Sequence, residues 1–375
     1  MANKNRLIKT LQKLISLDSQ NPPGDESKIG AWVSEYLRTL GLNVKTYRFK
    51  NKRDNLIAVL KGESDKSLLI TPHLDTVPAG KNWSRNPFKG EICGDKIYGL
   101  GATDCKGNLA CALEAIHVLV EQKAKLKYDL VFAATSDEES GSALGLIPLL
   151  KRGILKVDAA VVLDADDFEI VVTQKGLMHL QVSIQGKKAH GAYPWLGVNA
   201  IDIAAKVITD LNAQKVAYQK NKYLRQPTIN VGTISGGDKV NVVSDWCVFE
   251  LDFRFLPATS EKKLLENLKR TILRYTTAGK FKIQIQGIQD PYYINPKHKL
   301  VTNLTQAMLK QKIKPRISGS EGATVITFFK EKNIPAIATG FGTEGCAHIV
   351  DEFALISNLY KGANVLTEFL RDYKF

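Results

Sequence analysis

The chain has 375 residues, longer than most single hydrophobic cores, which favours two domains over one. With 44% hydrophobic and 24% charged residues, its composition excludes an intrinsically disordered chain and is typical of a folded globular protein. The net charge of +14 would suit a nucleic-acid binder, but the lysines are spread along the chain and are not grouped with aromatic residues, so we predict no nucleic-acid partner.

The sequence predicts neither a membrane segment nor a disulfide framework. No apolar stretch approaches the roughly 20 residues that a spanning helix needs, and the N-terminal segment has the spacing of an amphipathic helix without the apolar core of a signal peptide. The five cysteines include no Cys-x-x-Cys pair, which argues against disulfides and against a cysteine zinc site. We therefore expect a cytoplasmic protein with no membrane partner.

From the N-terminal helix to about residue 173, predicted strands alternate with predicted helices. The strands are NLIAVL, SLLIT, DLVFAAT and AAVVLDA, and the clearest helix is GNLACALEAIHVLVEQ. Alternation of this kind predicts an α/β fold, with a mostly parallel sheet that is covered by helices on both faces.

From about residue 176 the pattern changes to an antiparallel α+β one. The strands HLQVSIQGKKAH, TINVGTISGG and CVFELDFRF are separated by the helical stretches GVNAIDIAAKVITDLNA and SEKKLLENLKRTILRY. After DPYYINPKHKL the first pattern returns, with IPAIATGF as a strand. We therefore predict one α/β domain, residues 1–175 and 291–375, that is interrupted by an inserted α+β domain at residues 176–290.

Side chains that can bind metals or transfer protons follow the predicted strands. In open α/β sheets ligands collect at the carboxyl ends of the strands, and the residues at these ends are His73, Asp104, Glu138, Glu139, Asp164 and His348. For either histidine alone, a hydrogen-bonded core histidine would be the better interpretation. Six such residues at equivalent positions favour an active site.

Two histidines and several carboxylates, without a thiolate, suit a hydrolytic zinc site, with manganese or cobalt as alternatives. A pair of metals needs a bridging carboxylate, and Asp104 can supply it. His73 and Asp164 would then bind one metal. His348 and Glu139 would bind the other.

Two further carboxylates have places in such a site. Glu138 is left over as the general base, which takes a proton from the water that the metals activate. Asp75 lies two residues after His73 and would accept the second ring N–H of that histidine, which fixes its tautomer.

Four longer segments resemble one known family. HLDTVPAGKNWSRNPFKGEICGDKIYGLGATDCKG, TSDEESGS, GKKAHGAYPWLGVNAI and GCAHIVDEF are similar, in order and spacing, to the zinc metallopeptidase and deacylase family that contains acetylornithine deacetylase, succinyl-diaminopimelate desuccinylase, aminoacylase and bacterial glutamate carboxypeptidase. The resemblance covers nearly the whole chain. It implies the same ligands and base, a cis peptide between Asp104 and Cys105, and a lid domain at about 176–290 through which the chain forms a homodimer.

The resemblance also implies roles for three residues of the lid domain. His190 matches a histidine that reaches the partner's active site and stabilises the oxyanion, although a histidine in KKAHGAYP could simply hydrogen-bond a turn. Asn241 and Arg254 match residues that bind substrate, and a guanidinium is suited to bidentate capture of a carboxylate. Arg254 could equally well pair with Asp252 alone.

The chain departs from the family pattern at Leu100, Cys105 and Ser244, and also at positions that would line the acyl pocket. Desuccinylases typically have Arg-Arg-Gly-Ser where this chain has residues 174–177, Gln-Lys-Gly-Leu, and an arginine where this chain has Ala323. Lys175 is interpreted as surface charge.

From the ligand set and the resemblance together we predict a dinuclear metal-dependent hydrolase that cleaves the amide bond of an N-acyl amino acid. The alternative is a metal-dependent dipeptidase or carboxypeptidase acting on short peptides.

Overall fold

A computed structural model describes residues 1–214 and 218–375. The chain forms two compact units. The first comprises Met1–Val172, Ile294–Ser318 and Thr324–Phe375, and the second comprises Thr173–Tyr293 and Gly319–Ala323. The mixed α/β fold with a mostly parallel central sheet, predicted from the sequence, is confirmed.

The helices are α1 (Lys4–Ile15), α2 (Ser27–Thr39), α3 (Lys106–Glu121), α4 (Leu146–Lys151), α5 (Ala200–Ala213), α6 (Glu261–Ile272), α7 (Lys299–Lys310) and α8 (Ile356–Asp372). The strands are β1 (Val44–Arg48), β2 (Asp54–Leu60), β3 (Ser67–Thr71), β4 (Glu91–Cys93), β5 (Lys96–Tyr98), β6 (Asp129–Ala134), β7 (Ala159–Val162), β8 (Glu169–Gln174), β9 (Gly176–Gln185), β10 (Thr228–Gly236), β11 (Trp246–Phe255), β12 (Phe281–Gln289), β13 (Tyr292–Tyr293), β14 (Arg316–Ser320), β15 (Ala336–Thr339) and β16 (Phe353–Leu355). Turns of 3₁₀ helix lie at Glu138–Ser140, Pro194–Leu196 and Val325–Lys332.

The sheet of the first unit has parallel strands at its centre. Its order is β1-β2-β6-β3-β7-β15-β8, in which β6, β3, β7 and β15 run parallel while β1, β2 and β8 pair antiparallel with their neighbours. Strands β7 and β15 are buried along their whole length. Continuous apolar runs such as AAVV and AIAT form strands of this kind because both faces of the sheet are covered.

The helices of the first unit pack in contacting groups. Helix α3 contacts α1 and α8, and α8 contacts α7, whereas α2 packs on β1 and β2. The buried positions of α3 run almost without a break from Lys106 to Leu119. A helix that is apolar nearly all round, as this segment is, is expected at the centre of such a layer.

Some strands of the first unit were not predicted from the sequence. Strands β16, β5 and β4 form a separate antiparallel three-stranded sheet, in which Phe353 pairs with Tyr98. These strands have only three residues each. Runs so short, with partners so distant in the chain, leave no detectable period in the sequence.

The second unit is an antiparallel sheet with helices packed on one face. Its order is β10-β11-β9-β12, and buried and less buried residues alternate along β9 and β11. The buried residues of these strands, among them Leu180, Phe249 and Leu251, form one hydrophobic core with residues of α5 and α6. Alternating burial of this kind is typical of an antiparallel sheet that is covered on one face.

Lys175 lies in the second unit and is not a surface charge, so that interpretation was wrong. The side chain of Lys175 is almost completely buried, and its Nζ lies 2.6 Å from both Glu321 Oε2 and the carbonyl oxygen of Gln226. Glu321 also accepts the N–H of Arg225, at 2.8 Å. These contacts explain why Gly319–Ala323 belongs to the second unit, although it lies in residues 291–375, which the sequence assigned to the α/β domain.

Within residues 1–214 and 218–375, no helix combines the length and the hydrophobicity that crossing a membrane requires.

Candidate active site

The carboxyl ends of four adjacent strands carry most of the predicted site residues. His73 and Asp164 each lie two residues after a strand, β3 and β7 respectively, and Glu138 and Glu139 form the 3₁₀ turn after β6. His348 lies in the loop between β15 and β16. Because β6, β3, β7 and β15 are parallel neighbours, their carboxyl ends meet at one edge of the sheet.

Asp104 lies between the two histidines. Its Oδ1 is 2.9 Å from His73 Nε2, and its Oδ2 is 3.1 Å from His348 Nε2. His73 is buried, whereas 49% of the His348 side chain is exposed. One carboxylate that faces two imidazole nitrogens, one with each oxygen, has the arrangement that bridging two metals requires.

The other two predicted ligands each lie near the expected histidine. Glu139 Oε2 is 3.2 Å from His348 Nε2, and Asp164 Oδ1 is 3.9 Å from His73 Nε2. The structure therefore brings together the five side chains that were predicted to bind metals. Their role as ligands stays a prediction.

The donor atoms fit two divalent metals. They form two groups that share Asp104, one with Glu139 and His348 and the other with His73 and Cys105, and the donor atoms within each group lie within 4.8 Å of one another. The first group has only nitrogen and oxygen donors, which suit zinc, cobalt or manganese. The second group contains the Cys105 sulfur, which was not predicted as a donor, whereas the predicted ligand Asp164 lies outside both groups.

The crowding of carboxylates shows in their proton affinities. Burial, and then the negative charge of Asp104, raises the pKa of Asp164 to about 7. Hydrogen bonds to Asp104 and Glu139 raise the pKa of His348 to about 10. The site therefore has more negative charge than its two imidazoles can balance, and divalent cations would balance it.

The second ring nitrogen of His73 contacts Asp75, but mainly through the backbone. His73 Nδ1 is 2.9 Å from the backbone carbonyl oxygen of Asp75 and 3.5 Å from the carboxylate Oδ1. The predicted residue is therefore in place, but the carbonyl is the nearer acceptor. With the proton on Nδ1, the lone pair of Nε2 is free to bind a metal beside Asp104.

The Asp75 carboxylate instead contacts the turn after β6. It accepts the backbone N–H groups of Glu138 and Glu139, at 3.1 and 3.2 Å, and the side-chain N–H of Asn21, at 2.9 Å. Asp75 thus connects the His73 loop to the turn that carries the predicted base.

The predicted base, Glu138, lies in surroundings that favour its protonated form. Burial, and then the negative charge of Asp164, raises the pKa of Glu138 well above its ordinary value. A carboxylate whose proton affinity is raised is suited to accept and return a proton near neutral pH.

Two residues near Asp104 were missed from the sequence. Glu352 accepts the backbone N–H groups of Gly101, Thr103 and Asp104, at 2.8 to 3.0 Å. The Cys105 thiol donates to the carbonyl oxygen of Leu163, at 3.0 Å. Glu352 lies 248 positions after Asp104, so no local pattern connects them, although it is part of the GCAHIVDEF segment. The peptide between Asp104 and Cys105 is cis, as the resemblance implied.

The three residues to which the family resemblance gave roles in the lid domain all lie in the second unit. His190 and Asn241 are exposed on neighbouring loops, and His190 Nδ1 accepts the N–H of Ala192 at 3.0 Å. Arg254 forms two hydrogen bonds with Asp252, at 2.7 and 3.0 Å. Both structural contacts that the sequence left open, the turn at His190 and the pair at Arg254, are therefore present.

Comparisons with known proteins cover nearly the whole chain. The profile described as peptidase family M20/M25/M40 matches residues 69–372. A succinyl-diaminopimelate desuccinylase from Orientia tsutsugamushi (strain Boryong) is 27% identical over 96% of this chain and 94% of the relative. An acetylornithine deacetylase from Edwardsiella ictaluri (strain 93-146) is also 27% identical, over 99% of this chain and 94% of the relative.

Solved structures share the fold. A tripeptidase from Staphylococcus aureus subsp. aureus Mu50 is similar with a TM-score of 0.80 and 26% sequence identity, over 99% of this chain and 98% of that chain. The relatives thus include proteins named as deacylases and one named as a peptidase.

Proposed function

Because the chain belongs to peptidase family M20/M25/M40, we propose that it uses two divalent metals to hydrolyse the amide bond of an N-acyl amino acid. As a member of this family it is a metal-dependent hydrolase, and the pair of metals and the substrate class are the proposed parts. The observation that carries the two-metal site is the position of Asp104 between His73 and His348, with one carboxylate oxygen facing each ring.

We assign the ligands from the distances between the two histidines and the carboxylates. His73 and Asp164 would hold one metal, His348 and Glu139 the other, and Asp104 would bridge them. Zinc suits these donors best, with cobalt and manganese as alternatives. When bound, the metals supply a water of lowered pKa and positive charge that polarises the amide carbonyl.

Glu138 is the proton carrier in this proposal. Its carboxylate takes the proton of the attacking water and returns it to the nitrogen of the leaving amine, which would otherwise leave as an unstable anion. Asp75 keeps Glu138 in place through the backbone N–H that it accepts, at 3.1 Å. Its carbonyl also fixes the tautomer of His73.

The second unit would supply the substrate contacts. His190 of a second subunit would donate a hydrogen bond to the carbonyl oxygen as negative charge develops on it. Asn241 would donate to the substrate, and Arg254 would bind its free carboxylate with two parallel hydrogen bonds. Arg254 now holds Asp252 in this way, so the substrate carboxylate would compete with Asp252.

A homodimer through the second unit is part of the proposal. The loop after β9 exposes four large hydrophobic side chains, Tyr193, Trp195, Leu196 and Val198, and Trp195 is 74% exposed. Exposed apolar groups of this size are typical of an interface. Light scattering should give twice the chain mass, and Trp195→Glu should lower that value towards one chain. A single-chain mass for the unchanged protein would contradict the dimer.

Among acyl groups, acetyl and formyl are favoured over succinyl. One relative is named a desuccinylase, but residues 174–177 and Ala323 lack the arginines that would bind a second carboxylate. The second candidate function, cleavage of dipeptides or other short peptides, is supported by the likeness to a tripeptidase. It would use the same metal ligands and the same base.

A substrate panel tests the proposal. The protein is stripped of metal and reloaded with zinc, cobalt or manganese, then assayed with acetyl, formyl, succinyl and aminoacyl derivatives of common amino acids. We expect hydrolysis only after reloading and faster turnover of acetyl or formyl compounds. Faster cleavage of the aminoacyl compounds would instead support the peptidase, and hydrolysis without metal would contradict both.

A further inference from the structure

A buried set of polar and charged side chains lies beside the turn that carries Glu138, and the proposed reaction does not use it. It consists of Asn21, Glu26, Arg53 and Asp137, and we call it the Arg53 network. Each of these residues is at most 6% exposed. A buried guanidinium with two carboxylates is costly unless every charge has partners.

Arg53 connects the other three members. Its Nη2 donates to Asp137 Oδ1 at 2.7 Å, and its Nη1 donates to Asn21 Oδ1 at 3.3 Å. Its Nε lies 2.9 Å from Glu26 Oε2. Each guanidinium nitrogen thus faces a different residue. A lysine, with a single nitrogen, cannot keep all three contacts.

Asp137 connects the Arg53 network to the 3₁₀ turn Glu138–Ser140. It directly precedes Glu138, and its backbone is in the left-handed region, with φ of 67°. Its second carboxylate oxygen accepts the N–H of Leu144 at 2.9 Å. Aspartate tolerates this conformation better than most non-glycine residues. The hydrogen bonds to Arg53 and Leu144 hold its side chain at the start of the turn.

Asn21 reaches the same turn by a second route. Its side-chain N–H donates to Asp75 Oδ2 at 2.9 Å, and Asp75 accepts the N–H groups of Glu138 and Glu139. The position of Asn21 is in turn set by Arg53. The two routes to the turn, through Asp137 and through Asn21 with Asp75, thus both depend on the guanidinium of Arg53.

Gly24 is shaped to leave room for that guanidinium. Its φ is +79°, and a Cβ added there would lie 1.6 Å from Arg53 Nη1. The backbone of residue 24 therefore approaches the guanidinium more closely than any side chain would allow. Independently of the hydrogen bonds, residue 24 must therefore be glycine for the Arg53 guanidinium to occupy this position.

We propose that Arg53 is a positioning residue for the hydrolysis: through Asp137 and Asn21 it fixes the turn that presents Glu138 and Glu139. The proposal rests on the proposed function for the roles of these two glutamates. Since Arg53 would not touch the substrate, its loss should lower kcat and leave KM nearly unchanged.

Hydrogen exchange of the backbone amides tests the positioning without metal or substrate. The variants are Arg53→Lys and, as a matched control, Arg6→Lys. Arg6 forms a similar two-bond pair with the buried Glu114, at 2.7 and 2.8 Å, and makes no contact with the turn among the described residues.

In Arg53→Lys we expect exchange across residues 138–144 to be about tenfold faster, and in Arg6→Lys to change less than about twofold. Exchange in Arg53→Lys equal to that of the unchanged protein would overturn the proposal. So would an equal acceleration in Arg6→Lys.

Kinetics give the second readout. For Arg53→Lys and for Asp137→Asn, which keeps an acceptor for Leu144 but loses the charge, kcat should fall about 10- to 100-fold with KM within about twofold. A kcat that is unchanged in both, or that falls equally in Arg6→Lys, would overturn the proposal. If the unchanged protein hydrolyses no panel substrate, the proposed function fails, and hydrogen exchange alone decides the positioning role.

Discussion

Two arginine–aspartate pairs, one in each unit, lie in different surroundings. Arg53 and Asp137 of the first unit are buried, whereas 26% of Arg254 and 31% of Asp252 is exposed in the second unit. A buried pair is poorly screened, and losing one partner strands the other charge. A partly exposed pair is weakened by water and salt and can exchange partners. In our proposals the buried pair therefore fixes the geometry of the turn at Glu138, and the partly exposed pair remains available to bind substrate.

The largest expected effect is on the base. Glu138→Ala should lower kcat at least about 100-fold, because no other group would take the proton of the attacking water. Both metals should still bind, since Glu138 is not among the proposed ligands. Steady-state kinetics and metal analysis measure the two effects, with the exposed Glu35→Ala as control. Full activity in Glu138→Ala would contradict the assignment of the base.

The second effect is on stability and contrasts a buried lysine with an exposed one. Glu321→Ala leaves the buried ammonium of Lys175 with one partner, the carbonyl oxygen of Gln226. We expect the free energy of unfolding to fall by about 2 kcal/mol. Asp372→Ala removes a partner of the exposed Lys310 and should cost less than about 1 kcal/mol. Urea unfolding measures both. Equal losses would show that burial does not separate the two pairs.

The contribution of Glu321 should depend on pH. Burial alone would raise the pKa of Glu321, but the N–H of Arg225 and the Lys175 ammonium outweigh it, and the net pKa is lowered. The stabilisation is therefore full above the unfolded pKa, about 4.3, and is lost as the pH falls through the lower folded value. The difference in unfolding free energy between the unchanged protein and Glu321→Ala should shrink below about pH 4. A difference that grows there would contradict this sign.

The smallest expected effect is at the exposed pair itself. Arg254→Gln should change the free energy of unfolding by less than about 1 kcal/mol, while KM rises about tenfold because a carboxylate anchor is lost. Urea unfolding and steady-state kinetics check the two parts. A large loss of stability with an unchanged KM would mean that Arg254 only holds Asp252.

The strand ends were predictable because the information is local. SLLIT and AAVV are short apolar runs, and His73 and Asp164 follow them by two residues. Asp104 was also predicted at the end of a strand of this sheet, but it lies between β5 and α3. The contacts that support the site were not predictable, because their partners are distant in the sequence. Arg53 and Asp137 are 84 positions apart, and Glu352 lies 248 positions after Asp104. The burial of Lys175 was missed for the same reason, since its partner Glu321 lies far along the chain.

A metal titration of the stripped protein tests the central claim most directly. Zinc is added in steps while bound metal and amide hydrolysis are measured together, with Asp104→Asn as the variant that loses the bridge. We predict two metals per chain, with full activity only when both are bound, and weakened binding of both in Asp104→Asn. Full activity with one metal, or unchanged binding in Asp104→Asn, would contradict a dinuclear site bridged by Asp104.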